Sequence, residues 1–249
     1  MRPLADLLTA VRLLTVLPLG RREGERPARY FPVVGWLFGG LALGLASGAA
    51  VLGLADGSGS LLIAAVVVSV WALLSGFLHL DGLADSADGL GVRGDAETRL
   101  GVMRDSSVGA FGVIAILLAL VVQVAAIAVI VESRSWWGLV AAPVLGRFGA
   151  SAALALRKPA TTDGLGARYA ERPSTAAAIA IGVPAAILLV VPPHLSRAVV
   201  AIAGVAFAVA IPGVFVRRLG GITGDVLGAT IVLTETAILV VCALSGGLV

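Results

Sequence analysis

The chain has 249 residues, of which 59% are apolar and only 13% are charged. A water-soluble domain carries about 25% charged residues, so this composition excludes a soluble globular protein, and the shortage of charge also excludes a disordered chain. The net charge of +3 does not indicate nucleic-acid binding, because the basic residues are scattered between apolar blocks. The composition therefore predicts an integral membrane protein without a disulfide framework, since Cys242 is the single cysteine.

The first fourteen residues carry an amphipathic pattern. The apolar residues at helical spacing are Leu4, Leu7, Leu8, Val11 and Leu14. Asp6 and Arg12 interrupt the stretch and no small-residue cleavage site follows it, which argues against a signal peptide. The pattern predicts a helix that lies on the membrane surface.

Seven later segments are long and apolar enough to cross a bilayer, which takes about 20 residues in a helix. The predicted spans are residues 31–55, 60–80, 109–131, 136–156, 175–193, 197–216 and 226–245. We therefore predict an all-α, polytopic membrane helix bundle with about seven transmembrane helices, formed by residues 1–249 as one domain.

Basic residues set the expected orientation of this bundle. They are concentrated before the first span and in the even-numbered loops, whereas the opposite loops hold only Arg134 and Arg197. This asymmetry places the N-terminus and the even-numbered loops in the cytoplasm. The polar segments 81–108, 157–174 and 217–225 are then expected on one cytoplasmic face.

The segment His79–Gly89 is the most informative, because it places three aspartates after the second span. If that helix continues without a break, Asp81, Asp85 and Asp88 fall at i, i+4 and i+7, within roughly a 60° arc. Carboxylates on one face repel one another unless a cation lies among them, and oxygen ligands suit Mg²⁺ or Mn²⁺. The alternative is a solvated helix end. We expect His79 opposite the aspartates, at the membrane interface.

A second polar segment, Met103–Gly112, enters the third span. Asp105, Gly109 and Gly112 share one helical face, and the glycines would let a substrate or a neighbouring helix approach the backbone. Asp105 is equally consistent with a helix N-cap.

A third segment, Arg217–Asp225, leads into the last span through a glycine-rich turn. Gly220, Gly221, Thr223 and Gly224 precede a helix N-terminus, whose free N–H groups would suit an anion. Asp225 would add a metal ligand or a base.

Two charged residues are predicted deep in the spans, Arg147 in the fourth and Glu235 in the seventh. Charges in the membrane are costly and face a partner or a cavity. The two residues either form a structural pair or leave Arg147 to bind substrate, and we favour substrate binding.

The motifs in these segments resemble the cobalamin synthase (adenosylcobinamide-GDP ribazoletransferase) family. The resembling stretches are His79-Leu-Asp-Gly-Leu-Ala-Asp-Ser-Ala-Asp-Gly89, Met103-Arg-Asp-Ser106 with Gly109-Ala-Phe-Gly112, Leu219-Gly-Gly-Ile-Thr-Gly-Asp-Val-Leu-Gly-Ala229, Val232-Leu-Thr-Glu235, Leu17-Pro18 and Phe31-Pro-Val-Val-Gly35. The likeness covers nearly the whole chain. Arg104 departs from it, since lysine is expected there as often, but the charge is kept.

The resemblance implies a Mg²⁺-dependent, multi-pass enzyme of a bacterial cytoplasmic membrane. A ribose hydroxyl of α-ribazole, or of its 5′-phosphate, would attack the corrinoid-side phosphorus of adenosylcobinamide-GDP and release GMP. Asp81, Asp85 and Asp88 are the predicted metal platform, completed by Asp105 and Asp225, of which one is the base. Arg104 and Arg147 are favoured as phosphate ligands over Arg217 and Arg218, and Gly109 and the 220–224 turn complete the predicted substrate site.

Other functions remain open from the sequence. Another membrane transferase that uses a diphosphate is one, either like a CDP-alcohol phosphotransferase or like a UbiA prenyltransferase. A cation transporter is another, although transport sites usually lie near the midplane and these aspartates are expected at the membrane edge. The expected partners are the two substrates and the lipid bilayer, without nucleic acid, and an oligomer is compatible with the sequence.

Overall fold

The computed structural model describes residues 2–19, 23–170 and 195–245, together with residues 182, 183, 185 and 187. The helices are α1 (Arg2–Leu14), α2 (Phe31–Val51), α3 (Ser58–Leu74), α4 (Leu78–Gly91), α5 (Ala96–Met103), α6 (Ala110–Glu132), α7 (Trp137–Leu156), α8 (Leu165–Tyr169), α9 (Leu195–Leu219) and α10 (Gly224–Leu244). A 3₁₀ turn, Pro27–Tyr30, leads into α2. Within these ranges no strand forms, and one isolated parallel bridge joins Pro159 to Ile222.

Among the described residues, five helices are long and apolar enough to cross a membrane, namely α2, α6, α7, α9 and α10. This confirms the predicted all-α membrane class. The count of seven is not confirmed, because α3 and α4 qualify only if they are taken together, which gives at most six. The predicted span 175–193 lies outside the described residues.

Helix α7 lies at the centre of the bundle, packed chiefly against α2 and α10. Small residues make this possible, since a Cβ added at Gly35 of α2 would stand 2.6 Å from the Pro143 carbonyl oxygen of α7. Helices in lipid associate by such close approach, because apolar side chains gain nothing by leaving lipid for a neighbouring helix. The result is a helix whose most apolar stretch is 78% buried, compared with 28% for α6.

A sharp break separates α3 from α4, so the helix that begins near residue 60 does not continue into the aspartates, although α4 itself contains all three of them. Gly76 and Phe77 adopt positive φ angles of 59° and 63°, and the two helix axes meet at 86°. Glycine accepts the left-handed conformation that ends a helix at little cost. Helix α3 therefore ends at Leu74, and the aspartates belong to a separate 14-residue helix.

One further segment is more ordered than the sequence indicates, and the predicted N-terminal helix is present. The segment 81–108, predicted as a loop, consists mostly of α4 and α5. The predicted N-terminal helix is present as α1, whose Ala10 and Leu14 are buried. The chain after α1 folds back on it, because the Gly24 N–H donates to the Thr9 hydroxyl at 2.8 Å and the Arg26 N–H donates to Asp6 Oδ1 at 2.9 Å.

Candidate functional site

A cavity of about 360 Å³ opens where several separated stretches of the chain meet, and three of these belong to the polar segments. The stretch at the end of α5 contributes Met103 and Arg104, the connection after α7 contributes Thr161 and Asp163, and the start of α10 contributes Asp225. These are the polar segments that the sequence placed on one face. Backbone hydrogen bonds hold two of them together, from the Ala160 N–H to the Ile222 carbonyl at 2.9 Å and from the Ile222 N–H to the Lys158 carbonyl at 3.0 Å.

Beside this cavity, α4 crosses α10 at very close range. A Cβ added at Gly82 would stand 2.7 Å from the Asp225 carbonyl oxygen. The crossing gathers acidic groups, because the carboxyl of Asp85 interacts electrostatically with Asp81, Asp225 and Asp88. The charge of Asp81 also acts on Asp225. Carboxylates that the sequence separates by 140 residues thus share one site.

Asp88 has different surroundings from the other two aspartates of α4. It is 7% exposed, and its carboxylate accepts hydrogen bonds from the N–H groups of Gly109 at 2.7 Å and Gly112 at 2.9 Å. Those groups belong to the N-terminus of α6, whose unpaired donors and dipole favour an anion. A Cβ at Gly109 would stand 2.4 Å from Asp88 Oδ1. The sequence predicted that a substrate or a neighbouring helix approaches the backbone at Gly109. In the structure the approaching group is the Asp88 side chain of the neighbouring helix α4.

Asp105 lies in the exposed turn between α5 and α6. Its Oδ1 accepts hydrogen bonds from the Ser107 N–H at 2.9 Å and the Ser107 hydroxyl at 2.7 Å. These bonds stabilise the carboxylate and hold the pKa of Asp105 below its ordinary value. Asp105 is not one of the groups that act on Asp85 or Asp225. The N-cap of α6 is Gly109, so the alternative of Asp105 as its N-cap is not observed.

The glycine-rich turn before α10 divides into two parts. Gly220 has a φ of 78° and is exposed, while Gly221 lets the chain pass the loop after α7, since its Cβ would stand 2.4 Å from the Ala160 nitrogen. Thr223, Gly224 and Asp225 line the cavity. Thr223 caps α10 by accepting from the Val226 N–H at 3.2 Å, and its hydroxyl donates to Asp225 Oδ2 at 3.3 Å. The hydroxyl thereby orients the carboxylate.

Of the candidate phosphate ligands, Arg104 lines the cavity, while Arg217 and Arg218 are exposed at the end of α9. Arg147 is 1% exposed and forms an ion pair with Glu235. Its guanidinium also lies 4.0 Å from the centre of the Phe38 ring. Of the two roles that the sequence left open for Arg147, this contact is the structural pair with Glu235. The contact gives no support to the role in substrate binding that we favoured from the sequence.

A metal ion is not held by a preformed cage. Within the described part of the chain, no three His, Cys, Asp or Glu side chains converge on one point. The residues nevertheless fit Mg²⁺, which commonly takes one or two carboxylates and completes its shell with water and substrate phosphate. Asp81 is exposed and Asp225 is half-buried beside the cavity, so both carboxylates are accessible for such a role.

Several residues that line the cavity were not predicted from the sequence. They include Leu13 and Leu14 of α1, Phe31 of α2, His79 of α4, Thr161, Asp163 and Gly164 of the connection after α7, and Gly166 of α8. The stretch Thr161-Thr-Asp-Gly164 consists of residues that favour turns, so the sequence predicts a loop here. The sequence does not indicate that this loop packs beside the start of α10. The approach of α1 depends on long-range packing and has no local signal.

The bundle and its site define a polytopic helical membrane protein in which carboxylates from two helices lie beside a cavity that has both polar and apolar walls. Sequence comparison identifies the family within this class. The sequence model of the CobS family, described as cobalamin-5-phosphate synthase, matches residues 6–243, and the chain belongs to this family.

Relatives that bear a transferase name agree with the family assignment. The chain is 38% identical over 244 residues to an adenosylcobinamide-GDP ribazoletransferase of Pseudomonas savastanoi pv. phaseolicola, with 94% of this chain and 97% of the relative covered. It is 37% identical over 251 residues to the protein of that name from Stutzerimonas stutzeri, with 97% and 98% covered. It is 32% identical over 240 residues to that of Acinetobacter baumannii, with 92% and 93% covered. No solved structure matches the chain.

Proposed function

We propose that this chain is an adenosylcobinamide-GDP ribazoletransferase. The family match over residues 6–243 carries this conclusion, and relatives of nearly equal length bear that name. The family match does not favour the other membrane transferases or the cation transporter. A ribose hydroxyl of α-ribazole or its 5′-phosphate attacks the corrinoid-side phosphorus of adenosylcobinamide-GDP, and GMP leaves. The family's description as a cobalamin-5-phosphate synthase supports the phosphorylated acceptor.

The site supplies the parts that this reaction needs. Asp81 and Asp225 would hold Mg²⁺, with Asp85 beside them, and a bound divalent ion neutralises charge on the transferred and leaving oxygens. Arg104 lines the cavity and offers its guanidinium to the pyrophosphate. Asp225 is the proposed base, because its carboxylate lies in the cavity wall and is oriented by Thr223. Asp105 remains the alternative.

The size and place of the cavity limit how the substrates bind. A volume of about 360 Å³ lies at the lower end for small-molecule pockets. It suits a pyrophosphate with one nucleoside, so the larger corrinoid would lie outside the mouth. We propose that this mouth faces the cytoplasm, which the distribution of basic residues supports.

The purified protein, reconstituted in liposomes, tests the reaction directly. With adenosylcobinamide-GDP, α-ribazole 5′-phosphate and Mg²⁺, we expect GMP and cobalamin 5′-phosphate in equal amounts, and no GMP when the ribazole is omitted. Chelation of Mg²⁺ should stop both. Release of GMP without ribazole would contradict a transferase, and full turnover after chelation would contradict the metal. Uptake of cations into the same liposomes is the outcome expected of a transporter.

A further inference from the structure

One buried guanidinium joins four helices of the bundle. Arg147 of α7 pairs with Oε1 of Glu235 on α10, and its Nη2 lies 3.4 Å from Nδ1 of His79 on α4. Its guanidinium carbon lies 4.0 Å from the centre of the Phe38 ring on α2. Arg147, Glu235 and His79 are exposed by only 1%, 5% and 5%, so bulk water has little access to these contacts, although His79 also lines the cavity described above.

The contact between Arg147 and His79 has a fixed direction. A guanidinium has only hydrogen-bond donors, so Nδ1 of His79 must accept and the ring proton must lie on Nε2. Glu235 accepts from the same guanidinium. Arg147 therefore acts as a double donor that links α4 to α10.

The direct contact between α4 and α10 has no comparable polar link in the positions where the backbones are closest. Gly82 packs on Asp225, and a Cβ added at Gly228 would stand 3.2 Å from the His79 Cα. Small residues let helices approach closely in a membrane, but glycine has no side chain that fixes the register of the two helices. The link through Arg147 supplies that missing restraint.

We propose that His79 is a positioning residue, which with Arg147 and Glu235 sets the register of α4 on α10 and thereby holds Asp81 against Asp225. His79 precedes Asp81 by two residues, and its contact at Gly228 is one helical turn beyond Asp225. A shift at this point therefore moves the two carboxylates relative to each other. The catalytic consequence rests on the proposed function, whereas the link itself does not.

Three substitutions of His79 separate the role of Nδ1 from that of Nε2. The amide oxygen of Asn lies as many bonds from the backbone as Nδ1, and that of Gln as many as Nε2. We expect His79→Asn to retain most of the turnover. His79→Gln and His79→Leu should lower kcat about 100-fold, the loss that misplacement by about 1 Å produces, with KM for adenosylcobinamide-GDP changed less than threefold.

Other patterns of activity overturn the proposal. If Gln retains turnover and Asn does not, His79 acts through Nε2 on another group. If all three variants match the wild type, the register does not depend on His79. If KM rises while kcat is unchanged, His79 contributes to substrate binding and has no positioning role.

Thermal unfolding in detergent tests the link without any activity measurement. We expect His79→Leu to lower the Tm of the otherwise unchanged chain. In the Arg147→Met/Glu235→Leu double variant the same substitution should lower the Tm much less, because Arg147, the partner of His79, is then absent. Equal losses in both backgrounds would refute the link. If the wild type shows no transferase turnover, the proposed function fails while this comparison still decides whether His79 and Arg147 are coupled.

Discussion

Asp81, Asp85 and Asp88 share one face of α4 and yet occupy three environments. Asp81 is exposed, Asp85 is half-buried, and Asp88 is buried with both oxygens bonded to α6. Helical periodicity predicts which side chains share a face, but the neighbour packed against each turn decides what each one can bind. Asp81 and Asp85, which interact electrostatically with Asp225, are therefore the proposed candidates for chemistry, whereas the carboxylate of Asp88 is bonded to the start of α6.

The first prediction concerns the carboxylates assigned to the metal. Asp81→Asn and Asp225→Asn should each lower kcat at least about 100-fold, because a lost metal ligand removes several kcal/mol of transition-state stabilisation and 1.36 kcal/mol is about tenfold in rate. Release of GMP at saturating substrate, with Tm measured in parallel, checks this. Asp163→Asn is the matched control, since that carboxylate also lines the cavity without a proposed metal role. Near-normal Mg²⁺-dependent turnover in both variants would contradict the assignment.

The second prediction concerns Asp88. Asp88→Ala should lower the free energy of unfolding by about 3 kcal/mol, because two buried N–H groups of α6 lose their acceptor. Asp95→Ala is the comparison, since Asp95 caps α5 in an exposed position by accepting from the Thr98 N–H at 2.9 Å, and loss of such a cap costs about 1 kcal/mol. Thermal unfolding in detergent measures both. Equal stability of the two variants would show that Asp88 does not anchor α6.

At the scale of the helices, glycines determine where the elements meet. Gly35 lets α2 reach α7, and Gly82 and Gly228 let α4 reach α10. The break at Gly76 and Phe77 turns α4 across the bundle by 86°. Without that turn the aspartates would continue along the axis of α3, away from Asp225.

The third prediction compares two glycines in neighbouring helices. Gly82→Ala should destabilise the protein by about 1–3 kcal/mol, the usual effect of overpacking, and should reduce turnover, because the new Cβ would stand 2.7 Å from the Asp225 carbonyl oxygen. Gly101→Ala in α5 has open space around its Cβ and should stabilise by about 0.5–1 kcal/mol through helix propensity. Tm and kcat of both variants check this, and a loss at Gly101 as large as at Gly82 would contradict it.

At the scale of the whole molecule, the site is assembled from segments distributed along the chain. Residues of α4, of α5, of the connection after α7 and of the start of α10 line the cavity, and α4 also packs closely on α10. All of these segments belong to the loops rich in basic residues. The segments that line the cavity are therefore also those in which the basic residues of the loops are concentrated.

The fourth prediction concerns the side of the membrane on which this face lies. In a Cys242→Ser background, Ser106→Cys, Thr162→Cys and Arg218→Cys should resist an impermeant thiol reagent in intact cells and react after permeabilisation. The three positions are exposed in the structure. Asp56→Cys, in the connection between α2 and α3, should react in intact cells. Ready labelling at any of the first three would contradict a cytoplasmic site.

Composition and periodicity were enough to predict the membrane class, the long apolar helices α2, α6, α7, α9 and α10, and the placement of three polar segments on one face. These features follow from composition and helical periodicity, which are local properties. The tertiary structure alone decided the break between α3 and α4, the burial of Asp88 under α6, and the pairing of Arg147 with Glu235 and His79. Each of these features depends on which residue, distant in the sequence, packs beside a given turn of helix. The local sequence does not indicate which residue that is.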